Sequence, residues 1–214
     1  MYRIALPNKG RLAEDARALF TDAGLEVRVH GDRALSAALG RGDQFQAIFV
    51  RAEDIAEFVA DGAAGPGVTG WDLVAESQRD VDCLLDLQFG RCRLAVAAAE
   101  DGGIRSLTDI PPRSRVATTF PRLTRAFFDA SRLPVEIVPV SGAAEIAPHL
   151  GIADIIVDLV STGSTLRVNG LREVATVCES SARLIAGAAA RENDGGRIVR
   201  ELVSALESVV RAKG

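Results

Sequence analysis

Five residues, Ser161-Thr162-Gly163-Ser164-Thr165, gather four hydroxyls around one glycine directly after an apolar run, Ile155 to Val160. If that run is a strand and the next residues open a helix, the backbone N–H groups there are unpaired and favour an anion. Glycine lets the backbone approach a ligand without a Cβ. The hydroxyls add donors without bringing a charge that must be desolvated. The pattern suits phosphate. The competing use is a plain helix cap, for which Ser and Thr are good residues. One cap needs one hydroxyl, however, and no Glu or Gln follows three residues later to complete a capping box. Asp154 and Asp158 share strand parity and project to one side. Asp158 falls near the carboxyl end of its strand, where ligands sit in open α/β sheets, and a carboxylate there can accept bonds from sugar hydroxyls.

A second turn carries charge instead. Asn8-Lys9-Gly10-Arg11 lies between the first strand-like run and the first helix-like one. Two cations flanking a glycine at a helix start suit a polyphosphate, Lys as a mobile point charge and Arg as a planar fork. Two solvated surface charges would give the same pattern. Arg51 follows another buried-looking strand, with an ion pair to Glu53 or Asp54 as the alternative to ligand binding. Glu145 follows the run Val135–Val140, where an acid in a first helical turn is favourable for the dipole anyway. Trp71 and Phe89 can lie beside a base or pack in a core, and core packing is the expected use.

These turns need a scaffold that alternates strands with helices. Strands are expected at Arg3–Leu6, Leu25–His30, Gln46–Val50, Cys92–Ala98, Arg115–Thr118, Val135–Val140 and Ile155–Val160. Leu12, Ala16, Leu19 and Ala23 share a helical face, as do Ile55, Phe58 and Val59, and Thr124–Ala130 reads as helix. In the tail, Ile198, Val199, Leu202, Val203, Leu206, Val209 and Val210 form a broad apolar stripe on a helix packed against a core. The alternation argues for α/β architecture with largely parallel sheets. Residues 102–112 read as a turn-rich connection in the vicinity of a hinge, and two lobes with a cleft between them are expected.

Bulk properties narrow the function classes. The chain has 214 residues, 48% apolar and 25% charged, with net charge −4. It is long enough for one large domain or two small ones, and nothing in its total charge suggests nucleic acid. Cys83, Cys92 and Cys178 form no CxxC or Cys/His cluster and read as buried reduced thiols. His30 and His149 are too few for a zinc site or a histidine-based triad. The N-terminus shows no signal-peptide pattern, and no window reaches the length of a membrane helix. A soluble cytoplasmic protein without a membrane partner is expected.

The motif "DLVSTGSTL" resembles the phosphoribosyl pyrophosphate (PRPP) loop of the ATP phosphoribosyltransferases. Six further blocks occur in that family's order: "RIALPNKGRL", "FVRAEDIAEFVADGAA", "GVTGWDLVAE", "GRCRLAVA", "RVATTFPRLTRAFF" and "SGAAEIAP". The resemblance covers nearly the whole chain. It implies an α/β fold of two periplasmic-binding-protein-like lobes with an active-site cleft between them. Lobe I would hold residues 1–90 completed by 178–214, and lobe II residues 91–177. It implies a glycosyltransferase that joins adenine N1 of ATP to C1 of PRPP ribose with release of pyrophosphate, the first step of histidine biosynthesis.

By the same resemblance, Asp154, Asp158, Ser161, Thr162, Gly163, Ser164 and Thr165 bind PRPP. Lys9, Gly10, Arg11 and Arg51 bind ATP, with Lys9 and Arg11 acting in catalysis. Glu145 is a ligand-side acid, and Mg²⁺ arrives on the substrate without direct protein ligands. The resemblance is to the short form, which implies a homodimeric catalytic core and a separate regulatory subunit resembling histidyl-tRNA synthetase. The rival reading is a catalytically inactive two-lobed protein that binds a nucleotide or solute. Three departures from the family pattern concern its details: Gly65-Pro66 for an acidic-apolar pair, Phe120 for tyrosine and Ala144 for valine.

Overall fold

A computed structural model describes residues 2–28, 34–40, 44–191 and 193–213. The chain divides into two compact units, one formed by Met1–Gly90 with Ser181–Gly214 and the other by Arg91–Ser180. The return falls at Ser181 because the last strand of the second unit runs on to Ser180.

The first unit is built on a seven-stranded sheet. Its strands are β1 (Tyr2–Pro7), β2 (Val27–Arg28), β3 (Ser36–Leu39), β4 (Phe45–Val50), β5 (Pro66–Gly70), β6 (Asp82–Asp86) and β12 (Ala182–Ala186), in the order β2-β3-β4-β1-β5-β12-β6. β1 is central and parallel to both neighbours. Ile4 to Pro7 are accordingly buried in an unbroken run, as expected of a strand covered on both faces. Helix α1 (Ala13–Asp22) buries Ala13, Ala16, Leu19 and Phe20. It stops at Gly24 (φ +77°), whose N–H bonds to Thr21 O while Leu25 N–H bonds to Phe20 O; this is the Schellman pairing that a left-handed glycine permits.

Helix α2 (Ile55–Ala60) lies close on β5. A Cβ at Gly67 would stand 2.6 Å from Ile55 and 2.9 Å from Val59, so only glycine allows that approach. Helix α3 is Trp71–Ser77. Helix α6 (Asn193–Lys213) packs Leu202, Leu206 and Val210 into the same cluster as Leu19, Phe20 and Ile4. The apolar stripe read in the tail thus serves the first unit's core.

The second unit has β7 (Cys92–Ala99), β8 (Arg115–Thr118), β9 (Glu136–Pro139), β10 (Ile155–Val160) and β11 (Leu171–Ser180), in the order β11-β7-β10-β8-β9. β10 is the middle strand, antiparallel to β7 and parallel to β8. Helix α4 (Pro121–Ala130) begins with Pro121, where a missing N–H costs nothing. The short helix α5 (Ser164–Val168) follows β10.

The expectation of largely parallel sheets is corrected. Among the described residues four strand pairings are parallel and six antiparallel. The antiparallel pairs come mainly from strands that the sequence reading passed over. β5 is Pro-Gly-Val-Thr-Gly, poor in strand formers, and β11 is polar and bulged at a sheet edge. Of the strand expected at Leu25–His30, only Val27–Arg28 is seen as strand; His30 lies outside the described residues. The thiols are free, but only Cys92 is buried, while Cys83 is exposed. Among the described residues no helix is long and apolar enough to cross a membrane.

The three departures settle into packing. A Cβ at Gly65 would lie 2.5 Å from the Tyr2 ring, so glycine makes room for that ring. Phe120 and Ala144 are buried core residues. Trp71 runs against its expected use, with 37% of its surface exposed, whereas Phe89 packs on the first unit's core.

Candidate functional site

β10 delivers the hydroxyl loop. Its alternation and central position fix Asp158 near the strand's carboxyl end, opposite Ala95 of β7. The chain then turns through Ser161 and Thr162, and Gly163 takes the left-handed conformation (φ +75°) as N-cap of α5. A side chain at this φ is strained, which gives the glycine its reason. Ser161, Thr162, Ser164 and Thr165 are all exposed. The amides of Thr162, Gly163, Thr165 and Leu166 donate to no acceptor among the described residues, and no side chain caps the helix. Among the described residues the hydroxyls bond only locally: Thr162 Oγ1 and Ser164 Oγ lie 2.9 Å apart, and Ser164 N–H reaches Thr162 Oγ1 at 3.4 Å. The N-cap residue, Gly163, supplies no side-chain cap.

These residues line a concavity of about 230 Å³, together with Glu145, Asp158 and Leu166. Glu145 reaches it from a 3₁₀ turn, Ala144–Ile146. Burial pushes the Asp158 carboxyl above the usual carboxylate range. A bond from Leu159 N–H, 2.8 Å to Oδ1, opposes the rise, and the charge of Glu145 adds to it. Two acids face the same space as the loop's neutral donors. Such a set can take a phosphate at one end and hydroxyls at the other.

Asp154, expected beside Asp158 at the ligand, does not line this concavity. It stands before the first residue of β10, four residues from Asp158, which is roughly 13 Å along an extended strand. Its Oδ2 accepts from Arg115 N–H at 2.8 Å and its Oδ1 from Arg115 Nη2 at 3.1 Å. These bonds hold its carboxyl below the usual range. Parity in the sequence says nothing of position along the strand, and Asp154 lies outside β10.

In the first unit, Lys9 and Gly10 are exposed on the turn after β1, with Gly10 at φ +85°. Lys9 forms no ion pair among the described residues. Arg11 is held firmly: its Nη2 lies 2.9 Å from Oδ1 of Asp72, which is completely buried, and its Nη1 donates to the Gly90 carbonyl. Arg51 pairs with Glu53 at 3.7 Å, both side chains being well exposed. That was the alternative open for it in the sequence, and an exposed pair of this length is worth little.

Sequence reasoning missed Asp72, Arg93 and Glu173. Arg93 of β7 grips Glu173 of β11 in a fork (Nε–Oε1 2.8 Å, Nη2–Oε2 2.6 Å) and reaches Ser161 O at 3.5 Å. Both acids sit where charge is ordinary, at a helix start and on an edge strand, so nothing in their immediate sequence marks them.

Comparison with known proteins meets this geometry from outside. The family profile HisG, ATP phosphoribosyltransferase, matches residues 51–208. A curated relative named ATP phosphoribosyltransferase from Gemmatimonas aurantiaca is 65% identical over all of this chain and 75% of its own length. One of the same name from Methanosarcina acetivorans is 43% identical over all of this chain and 73% of its own. Among solved structures, a chain of the ATP phosphoribosyl transferase (HisG:HisZ) complex from Thermotoga maritima superposes with TM-score 0.84 at 24% identity, covering 99% of this chain and 100% of that one. The periplasmic aliphatic sulphonate binding protein SsuA from Escherichia coli follows the same fold at TM-score 0.62 and 12% identity, over 98% of this chain and 72% of that one.

Proposed function

The chain belongs to the ATP phosphoribosyltransferase family, and from that premise we propose how its residues divide the work. The reaction is the first step of histidine biosynthesis. Adenine N1 of ATP forms a bond to C1 of PRPP ribose as the C1–O bond to pyrophosphate breaks and that electron pair leaves with the pyrophosphate. A catalytically silent relative is not favoured. The likeness to solute-binding proteins, at 12% identity, concerns fold alone.

The 161–165 loop binds the 5′-phosphoryl end of PRPP. The observation that carries this assignment is the exposed, left-handed Gly163 turn with its undonated amides and four hydroxyls, opening on a pocket shared with Asp158 and Glu145. The two carboxylates accept from ribose hydroxyls and favour positive charge developing at C1. Lys9 and Arg11 take polyphosphate oxygens, Arg11 as an oriented fork and Lys9 as a mobile charge. Gly10 supports the same turn, and Arg51, paired only weakly with Glu53 at the surface, adds a further cation for ATP. Adenine N1 carries its own lone pair, so no strong general base is required. What remains is alignment of two substrates and stabilisation of the leaving group.

Mg²⁺ would enter with the pyrophosphate and neutralise its departing charge. Glu145 and Asp158, carboxylates on one concavity, would meet such a substrate-borne, largely hydrated cation through its water shell and not as direct ligands.

The Thermotoga complex, matched over the full length of its chain, supports a separate regulatory subunit; we infer that this subunit resembles histidyl-tRNA synthetase. The curated relatives extend beyond the matched span by about a quarter of their length. A homodimeric catalytic core rests on the family resemblance. A cytoplasmic location belongs to the same proposal and rests on the family. The test is pyrophosphate release from ATP, PRPP and Mg²⁺, with and without a regulatory partner. Turnover that responds to the partner is expected; tight PRPP binding without turnover under either condition would contradict the reading.

A further inference from the structure

The first turn of α3 holds a fully buried carboxylate whose visible partner is a cation at the surface. We propose that Asp72 is a positioning residue for the polyphosphate site: it fixes the plane of the Arg11 guanidinium, with Gly70 and Gly90 as the two positions that leave room for the pair. The inference rests on the reading of Arg11 as a phosphate ligand and adds to it the residue that makes it one.

Four observations converge. Asp72 is 0% exposed and meets Arg11 Nη2 at 2.9 Å, whereas 30% of the Arg11 side chain remains open to solvent. One edge of the guanidinium is thus anchored inside the protein and the rest faces outward. Nη1 is held separately by the Gly90 carbonyl, so rotation about the last bonds of the arginine is blocked at two points. The space is tailored to the pair. A Cβ at Gly70 would stand 2.3 Å from Asp72 Oδ1 and 2.9 Å from Arg11 Nη2, and one at Gly90 would stand 2.3 Å from Leu12 and 3.3 Å from Arg11 Nη1. The helix start itself is pinned, since Trp71 N–H donates to Ser181 O at 3.0 Å.

A buried ion pair is poor at stabilising a fold compared with apolar packing. What it does supply is direction. An unanchored arginine on an exposed turn loses rotamer entropy each time it binds a ligand, while an anchored fork has already lost it. Lys9, two residues away and without an ion pair among the described residues, has no such anchor. The pair therefore gives one turn a fixed planar donor beside a mobile point charge.

The experiment compares Arg11→Lys, Asp72→Asn and the double variant by calorimetry with two probes, inorganic pyrophosphate and ribose 5-phosphate. Arg11→Lys should weaken pyrophosphate roughly tenfold, the loss expected for one charge-assisted bond. Asp72→Asn should weaken it by about the same factor, and the double variant by no more than about twofold beyond either single one. Ribose 5-phosphate should bind all of them as it binds the wild type.

Loss with Arg11→Lys and none with Asp72→Asn would overturn the positioning role while leaving the Arg11 reading intact. Wild-type pyrophosphate binding by both would remove the Arg11 reading and this proposal together. Additive losses, or equal losses for both probes, would mean that Asp72 acts on the fold and not through Arg11, and would likewise overturn it. Should Asp72→Asn fail to fold, Gly70→Ala displaces the carboxylate without removing its charge. A folded Gly70→Ala protein that binds pyrophosphate like the wild type would sink the proposal.

Discussion

The turns after β1 and β10 share an outline and differ in substance. Each follows a central strand, each contains a glycine with positive φ (Gly10 at +85°, Gly163 at +75°), and each leads into a helix. The first carries two cations, one of them braced by a buried acid. The second carries no charge at all and presents amides and hydroxyls instead. A charged turn attracts anions from a distance but has to be oriented before it can discriminate. A neutral turn attracts weakly and reads shape, because its donors are part of the backbone.

Several variants would break or sharpen this contrast. The largest effect is expected from Gly163→Val. A β-branched residue at φ +75° is strained and its Cβ would stand 3.3 Å from Arg167 Nη1. PRPP affinity should fall about a hundredfold by calorimetry, with pyrophosphate binding unchanged. Next come Thr162→Ala and Thr165→Val. Each removes one donor to a charged group, so PRPP should weaken roughly tenfold while ATP does not. Equal losses for both ligands would erase the distinction between the turns.

Lys9→Gln should cost less, about threefold to fivefold in pyrophosphate affinity at low salt, since an exposed and mobile charge is screened. The difference from wild type should shrink as salt rises, whereas the loss caused by Thr162→Ala should not.

The smallest expected effect separates two acids of one strand segment. Folding raises the Asp158 carboxyl by burial, so its contribution is most favourable below the unfolded value of about 3.9 and is lost as pH rises through the raised value. Asp158→Asn should therefore raise the melting temperature at neutral pH, and the gain should vanish in acid. Asp154 is the reverse. Its bonds to Arg115 depress it, so its stabilisation is present above about 3.9 and is lost as pH falls through the depressed value. Asp154→Asn should lower the melting temperature at neutral pH and have no effect in strong acid. Melting curves at several pH values check both signs.

The contrast also shows what the sequence could carry. The hydroxyl turn was legible because its chemistry is contiguous: five adjacent residues, a strand before and a helix after. The tail helix was legible because seven apolar residues keep one period. β5 was not, because its burial comes from α2 pressing on Gly67 and not from strand-forming side chains. Asp154 looked like a partner of Asp158 because their spacing gives them one strand parity, while Arg115, on a strand 39 residues away, pairs with it. Asp72 went unread for the same reason: its meaning depends on Arg11, 61 residues distant. Local pattern shows which groups are present, and long-range contact decides which of them are free to meet a ligand.

The most direct test of the whole account is a crystal structure with PRPP bound. The 5′-phosphate is expected within about 2.7–3.2 Å of the amides of Thr162, Gly163, Thr165 and Leu166, with the ribose hydroxyls toward Asp158 and Glu145. A 5′-phosphate held by Lys9 and Arg11 instead, with the 161–165 turn untouched, would contradict it.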